Sequence, residues 1–163
     1  MKRRAPKGGY LFDDKDTYRK VIWQEFAKAV NPRTANVLMM PSIEGREIEV
    51  AERCGFRRDR IYVVDMNPAI IVSLRARYPG LPTVKGAHGV TVGLACERLA
   101  EAGVKIRAMN LDFTACAGAP MVSELDVVMR SGAMMVGGTS VLAVTQLRGR
   151  ETGRWGGEGE GFV

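Results

Sequence analysis

The first amphipathic segment of the chain lies in residues 14–30, where an apolar side chain occurs about once per helical turn. Its apolar face is formed by Tyr18, Ile22, Phe26 and Val30. This spacing is typical of a helix that covers a core, and the helix should end before Asn31-Pro32 because proline disfavours helical backbone at the preceding residue. Residues 36–42 (NVLMMPS) form a short, unbroken apolar run, which predicts a buried strand.

Apolar runs and amphipathic segments continue to alternate along the rest of the chain. Helices are predicted within residues 43–56, 68–80, 90–103 and 120–132, and further strands within residues 60–68, 81–87, 105–113 and 133–147. Strands and helices that alternate at this length require parallel strands joined by crossovers, since short turns cannot connect parallel neighbours. The sequence therefore predicts an α/β domain with a mainly parallel sheet of about five strands flanked by helices.

The two ends of the chain differ in composition from the predicted domain, which spans residues 14–147. Residues 148–163 are rich in glycine and predict a loop or tail, and residues 1–13 form a basic tail. The basic tail contains Lys2, Arg3, Arg4 and Lys7, which supply four of the six net positive charges of the chain. A short basic segment can hold phosphates, so nucleic acid is one candidate partner, and a solvated terminus is the alternative.

Composition excludes several classes of protein. The hydrophobic fraction of 46% and the charged fraction of 26% are ordinary for a globular domain, and no apolar run approaches the roughly 18 residues that span a bilayer. The basic start MKRRAPKGG is followed by YLFDDKD, where a signal peptide would need an apolar segment. The three cysteines form no CxxC pair, so no zinc site is predicted. We therefore expect a single cytoplasmic domain.

Candidate site residues follow the predicted strands directly. They are Pro41, Ser42, Glu44 and Gly45 after the first strand, Asp65 and Met66 after the second, Ala87 and His88 after the third, and Asn110, Asp112 and Phe113 after the fourth. In an open parallel sheet, ligands bind beyond the carboxyl ends of the strands. Asp65 and Asp112 should therefore lie at the same edge of the sheet.

Asp65 is the most informative of these residues. A carboxylate at the end of the second strand can accept hydrogen bonds from both hydroxyls of a ribose, as in nucleoside cofactor sites. The alternative interpretation is that Asp65 caps the turn at Asn67-Pro68. Ser42 and Glu44 could likewise serve only as the N-cap and the first-turn acid of a helix. Asp112 could cap a turn, and Phe113 could fill the core.

Three segments of the chain together resemble the class I S-adenosylmethionine-dependent methyltransferases. NVLMMPSIEGREIEVAERCGF resembles their first strand, cofactor loop and first helix; RIYVVDMNPAII resembles the second strand with its ribose acid; and KIRAMNLDFTA resembles the fourth strand. The closest likeness is to small methyltransferase-like proteins of phages and mobile elements whose fourth strand ends in Asn-Leu-Asp-Phe. The resemblance implies a Rossmann-like three-layer sandwich. The final strand pair usual in that fold has no counterpart in residues 148–163, so either the sheet is shortened or the chain is part of a longer protein.

The resemblance also implies S-adenosylmethionine as the cofactor and a role for each candidate residue. Asp65 would hold the ribose, the loop from Pro41 to Gly45 would approach the amino-acid part, Ala87 and His88 would border the adenine, and Asn110, Asp112 and Phe113 would face the substrate. The methyl acceptor is not identified, and nucleic acid is one candidate.

The alternative to a methyltransferase is a non-catalytic binding or interaction module with the same fold. A dinucleotide-dependent dehydrogenase is disfavoured because the glycine fingerprint is missing. A sheet that ends at its fifth strand would also expose an edge, which makes a homo-oligomer a candidate assembly.

Overall fold

The computed structural model describes residues 12–113, 119–134 and 137–146. Within these residues the helices are α1 (Phe12–Ala29), α2 (Arg46–Arg53), α3 (Pro68–Arg77), α4 (Val92–Glu101) and α5 (Ala119–Arg130). The strands are β1 (Val37–Met39), β2 (Ile61–Val63), β3 (Ala108–Phe113) and β4 (Val141–Gln146). A short 3-10 turn, Arg58–Arg60, precedes β2.

All four described strands are parallel, and they lie in the order β2-β1-β3-β4. Met39 at the end of β1 pairs with Val63 of β2 on one side and with Asn110 of β3 on the other. The chain moves outward from β1 to β2 and then crosses back to the far side of β1 to form β3. The strand order therefore reverses between β1 and β3, which is where open α/β sheets bind ligands.

Helices cover both faces of the sheet, as the sequence predicts. On one face, α1, α2 and α3 enclose a core in which Trp23 packs edge-to-face against Phe26 and Phe56 at centroid distances of 5.2 Å. On the other face, α4 and α5 pack over Leu38 and Met109. The α/β class and the parallel, helix-flanked sheet are thus confirmed.

The predicted third strand, residues 81–87, is wrong. Leu81 and Ala87 are buried as expected of a strand, but this segment contains turns and no ladder to β2. Pro82 has no N–H to donate, and Gly86 has a φ of 79°, which strand backbone does not adopt. The described sheet consequently has four strands instead of about five, and β2 is its edge strand.

The last strand is shorter than the sequence predicts. Within residues 133–147, Met134 makes only an isolated bridge with Ile106, and β4 begins at Val141. Gly137, with a φ of 86°, separates the two parts. The helix ends are closer to prediction, since α1 ends before Asn31 as expected.

No helix among the residues that the structure describes is both long enough and apolar enough to cross a bilayer.

Candidate functional site

A cavity of about 540 Å³ opens at the carboxyl ends of the strands, and we call it the carboxyl-edge cavity. It lies at the ends of β1, β2 and β3 and at the first turns of α4 and α5. Its lining comprises Met40, Val64, Asp65, Met66, Val90, Thr91, Val92, Phe113, Pro120, Met121, Ser123 and Glu124. Asp65, Met66 and Phe113 are the candidate residues that the structure brings together here.

Charge distinguishes this cavity from a phosphate site. Asp65 and Glu124 are the charged side chains of its described lining, which contains no lysine, arginine or histidine. The rest of the lining is mainly apolar. Two carboxylates in such surroundings repel anions and favour ligands with hydroxyl donors or positive charge.

Asp65 has the turn role that the sequence left open and also lines the cavity. Its Oδ1 accepts a hydrogen bond from the backbone N–H of Asn67 at 2.7 Å, and Asn67 in turn caps α3 by accepting from Ala69 N–H at 3.0 Å. The Asp65 carbonyl accepts from Gly89 N–H at 3.1 Å. These bonds fix the backbone and Oδ1 of a half-buried carboxylate that lines the cavity.

Glu124 of α5 is a site residue that sequence reasoning missed. Its Oε2 accepts from Gly93 N–H at 2.9 Å, in the first turn of α4. Thr91 Oγ1 accepts from Leu94 N–H at 3.4 Å in the same turn. Because these donors already have protein partners, the start of α4 is poorly suited to bind phosphate. A sequence clue existed, since Glu124 lies one turn before the buried Val128 on the inner side of α5.

The loop from Pro41 to Gly45 packs against α3 and does not line the carboxyl-edge cavity. Gly45 has a φ of 66°, and a Cβ at this position would overlap the ring of Tyr78. Arg77 Nη1 donates to the Glu44 carbonyl at 2.8 Å, and the Tyr78 hydroxyl donates to it at 3.1 Å. Pro41 is buried and Ser42 is exposed. The glycine of this loop therefore serves a close approach between the loop and α3.

Ala87 and His88 also lie outside the lining of this cavity. Ala87 is buried in the core beneath α4. His88 is half-buried, and both of its ring nitrogens lack a hydrogen-bond partner among the described residues. Burial and the nearby Arg75 lower the pKa of the imidazole, which favours its neutral form.

The predicted substrate group of Asn110, Asp112 and Phe113 divides between the two faces of the sheet, because successive strand residues point to opposite faces. Phe113 faces the α4 side and lines the cavity. Asn110 points towards α2, where its Nδ2 donates to Glu47 Oε1, and Asp112 shares that face two residues later. Asp65 and Asp112 lie at the same edge of the sheet, as predicted. Met39 pairs with Val63 of β2 and with Asn110 of β3, and each aspartate comes two residues after one of these partners.

Glu47 is a second residue that sequence reasoning missed. Its side chain is 4% exposed, and its Oε1 also accepts from Trp23 Nε1 at 3.2 Å. Burial raises the pKa of this carboxyl to about 7, against hydrogen bonds from Asn110 and Trp23 that lower it. The clue in the sequence is its spacing, because Glu47 shares a helix face with the buried Val50 and Ala51.

The described cysteines are unsuited to nucleophilic catalysis. Cys96 is buried, and burial raises the pKa of its thiol to about 12, so the reactive thiolate is absent near neutral pH. Cys116 and the basic residues Lys2, Arg3, Arg4 and Lys7 lie outside the described residues. No group of three metal-ligating side chains occurs in the described part of the chain.

The chain matches none of the family models, curated proteins or solved structures with which it was compared. The functional interpretation therefore depends on the geometry and charge of the carboxyl-edge cavity.

Proposed function

We propose that the protein is an S-adenosylmethionine-dependent methyltransferase of Rossmann-like fold, and that the carboxyl-edge cavity is its cofactor site. The observation that carries this proposal is the combination of two carboxylates, Asp65 and Glu124, with a mainly apolar lining and no described cation. This cavity lies beside the point where the strand order reverses, between β1 and β3.

The charge of the cavity selects among nucleoside cofactors. S-adenosylmethionine carries a positive sulfonium and ribose hydroxyls and has no phosphate. A nicotinamide or flavin dinucleotide carries a pyrophosphate, and the described lining of this cavity offers it no lysine, arginine or histidine. The first turn of α4, a possible phosphate site, has Glu124 on the N–H of Gly93.

The residues present fit the cofactor in size and chemistry. A volume of about 540 Å³ lies within the roughly 300 to 1,000 Å³ usual for small-molecule sites. Asp65 would accept hydrogen bonds from the ribose, while Val64, Val92 and Phe113 offer apolar surface to the adenine. Glu124 contributes negative potential that attracts the sulfonium. When bound, the cofactor supplies an activated methyl group, and the protein orients it and excludes water.

A second candidate function, a nucleoside-binding module without catalysis, is favoured by one observation. The loop after β1 is held against α3 through the Glu44 carbonyl and Gly45. This loop would approach the amino-acid part of the cofactor in a methyltransferase. A protein that binds only the nucleoside half has no need of that loop.

Calorimetric titration tests the proposed cofactor. We expect S-adenosylmethionine and S-adenosylhomocysteine to bind and nicotinamide adenine dinucleotide not to compete with them. Failure of both sulfur nucleosides to bind at millimolar concentration would contradict the proposal. Adenosine binding as tightly as S-adenosylmethionine would instead support the module, because the methionine part would then make no contribution.

Transfer of a labelled methyl group tests catalysis. The protein is incubated with methyl-labelled S-adenosylmethionine and mixed RNA and DNA, and the label in nucleic acid is counted. Incorporation that is abolished in Asp65→Ala would support an enzyme acting on nucleic acid.

A further inference from the structure

A second cavity, of about 450 Å³, lies at the opposite edge of the sheet, and we call it the amino-edge cavity. It forms where the loop between α1 and β1 meets the residues that lead into β3 and β4. Its polar wall is supplied by Asn31, Thr34, Asn36, Lys105, Arg107 and Thr139. The proposed cofactor site plays no part in it.

The charge of the amino-edge cavity is uncompensated. Lys105 and Arg107 are the charged residues of its described lining, which contains no acid. Arg60 adjoins it, since Arg60 Nη1 donates to the Thr34 carbonyl at 3.2 Å. None of these three cations has a carboxylate within 4 Å in the described part of the chain.

Neighbouring arginines of the turn before β2 show the contrast. Arg57 forms an ion pair with Asp59 at 2.6 Å, and Arg58 forms one with Glu52 at 2.7 Å. The acids Asp59 and Glu52 thus form ion pairs with Arg57 and Arg58, whereas the cations of the amino-edge cavity form no ion pair with a described carboxylate.

The partners that these cations do have are neutral. Lys105 Nζ donates to the Gly132 carbonyl at 2.7 Å, and Arg107 Nη1 donates to the Thr139 carbonyl at 3.0 Å. The end of α1 also borders the cavity, but a helix C-terminus is equivalent to only about half a negative charge. Two full positive charges in the wall exceed that, so the cavity retains positive potential.

Arg107 is held in place by the backbone beside it. A Cβ added to Gly138 would lie 2.6 Å from Arg107 Nη1, so the segment leading into β4 passes directly against the guanidinium. Gly138 does not have a positive φ. Alanine is therefore compatible with the backbone at this position, but it would push the guanidinium away from its present position.

We propose that the amino-edge cavity binds a phosphate group through Lys105 and Arg107. Arginine offers a planar set of N–H donors that matches phosphate oxygens, and lysine adds a mobile point charge. Neutral donors and acceptors from Asn31 and Thr34 complete the wall. The ligand is a phosphate ester or diphosphate, either free or within the backbone of a nucleic acid.

Binding is measured on the full chain with two probes at low salt. Inorganic pyrophosphate is titrated by calorimetry, and a fluorescent single-stranded oligonucleotide is titrated by anisotropy. The test variant Lys105→Gln/Arg107→Gln is compared with a control, Lys20→Gln/Lys85→Gln, which removes the same charge from exposed positions elsewhere. The basic residues Lys2 to Lys7 are present in both variants, so their contribution cancels.

We expect the test variant to bind at least one probe roughly tenfold or more weakly and the control to change less than about twofold. Gly138→Ala should weaken binding about threefold with no change of charge. If the test variant binds both probes more weakly, and one probe displaces the other, the cavity is a phosphate site shared by free and polymeric ligands. If only pyrophosphate binding weakens, the ligand is a free phosphate compound, and if only oligonucleotide binding weakens, it is the backbone of a nucleic acid.

Two results would overturn the proposal. One is equal weakening in the test and control variants, which would mean that only total charge matters. The other is the absence of binding by wild-type protein to both probes. Circular dichroism melts establish that each variant is folded, and Gly138→Ala keeps the test decisive if the double variant is not. S-adenosylmethionine titration of the same variants should be unchanged, which separates this proposal from that of the cofactor site.

Discussion

The cavities at the two edges of the sheet have similar volumes, about 540 and 450 Å³, but opposite charge. The carboxyl-edge cavity contains Asp65 and Glu124, and the amino-edge cavity contains Lys105 and Arg107. In a parallel α/β sheet, helix N-termini gather at the carboxyl edge and helix C-termini at the amino edge. Helix dipoles alone would therefore make the first edge positive and the second negative.

Side chains reverse this expectation at both edges. A carboxylate carries a full charge, against about half a charge for a helix end, so Glu124 at the start of α4 outweighs the dipole there. Lysine and arginine do the same at the end of α1. A few side chains therefore set the sign of each cavity, and with it the proposed ligand class, on a fold whose backbone would favour the opposite sign.

The largest effect is expected at Glu47, which adds a buried acid to the carboxyl edge on the other face of the sheet. Between about pH 4.5 and 7 the Glu47 carboxyl is protonated to a greater extent in the folded than in the unfolded protein, because burial raises its pKa from 4.5 to about 7. The stability that the protonated form contributes is complete below about pH 4.5 and is lost as the pH rises to about 7. Glu47→Gln, which keeps the acceptor oxygen, should raise stability at pH 8 by on the order of 3 kcal/mol.

Urea unfolding from pH 4.5 to 8 measures this effect. Wild-type protein should lose stability across that range, whereas Glu47→Gln should show a flatter profile. Equal slopes for the two proteins would contradict this prediction, because they would mean that the pKa of Glu47 is the same in the folded and unfolded states.

Gly45→Ala tests whether the loop after β1 belongs to the fold or to the cavity. Its φ of 66° and the overlap of a new Cβ with Tyr78 should together lower stability by roughly 2 to 3 kcal/mol. Gly103→Ala is the matched control, since its φ is 73° but no atom lies within 4 Å of a Cβ there, and it should cost only about 1 kcal/mol.

Chemical denaturation gives both values, and calorimetry of the folded Gly45→Ala protein should show unchanged S-adenosylmethionine affinity. A lower affinity for S-adenosylmethionine with unchanged stability would instead indicate that this loop is part of the cofactor site.

Asp65→Ala tests the proposed contact between Asp65 and the ribose in the carboxyl-edge cavity. Loss of a charged acceptor should weaken S-adenosylmethionine binding about tenfold to a hundredfold. It also removes the bond to Asn67 N–H, at a cost of about 1 kcal/mol in stability. Asp65→Asn preserves an acceptor for that bond, so it should regain the stability while affinity remains reduced.

Thermal melts with and without cofactor separate the two effects, because a ligand that binds only the folded state raises its apparent stability. If Asp65→Asn restores affinity along with stability, Asp65 acts only through the turn.

The smallest effect is expected from Glu124→Gln, which keeps an acceptor for Gly93 N–H while removing the charge. The positively charged S-adenosylmethionine should lose roughly three- to tenfold in affinity relative to S-adenosylhomocysteine, whose sulfur is neutral. Competition calorimetry gives the ratio of the two affinities directly. An unchanged ratio would indicate that charge at Glu124 does not contribute to ligand selection.

Much of the fold could be predicted from the sequence because its signals are local. Apolar runs marked the buried strands β1 and β2, and Asn31-Pro32 marked the end of α1. Asp65 was identifiable from its position directly after a buried run. The predicted third strand failed because an apolar run outweighed Pro82 and Gly86, two residues whose backbone does not suit a ladder.

The rest of the site depends on contacts between distant residues. AMNLDF was recognised as the end of a strand, but the division of Asn110 from Phe113 depends on which face each residue meets. Glu124 reaches Gly93, which is 31 residues away. Likewise, Lys105 and Thr139 line one cavity with Thr34 only through the parallel pairing of β1, β3 and β4. No local sequence pattern predicts these contacts between distant residues, although helical spacing indicated that Glu47 and Glu124 lie on the inner faces of their helices.

The most direct test of two oppositely charged cavities is one amide-resolved NMR experiment, in which the protein is titrated first with S-adenosylmethionine and then with pyrophosphate. We expect the first ligand to shift the amides of Met66 and Thr91 and the second to shift those of Asn36, Lys105 and Thr139. Pyrophosphate shifting the carboxyl-edge amides, or S-adenosylmethionine shifting those of the amino edge, would contradict the assignment of ligand class by charge.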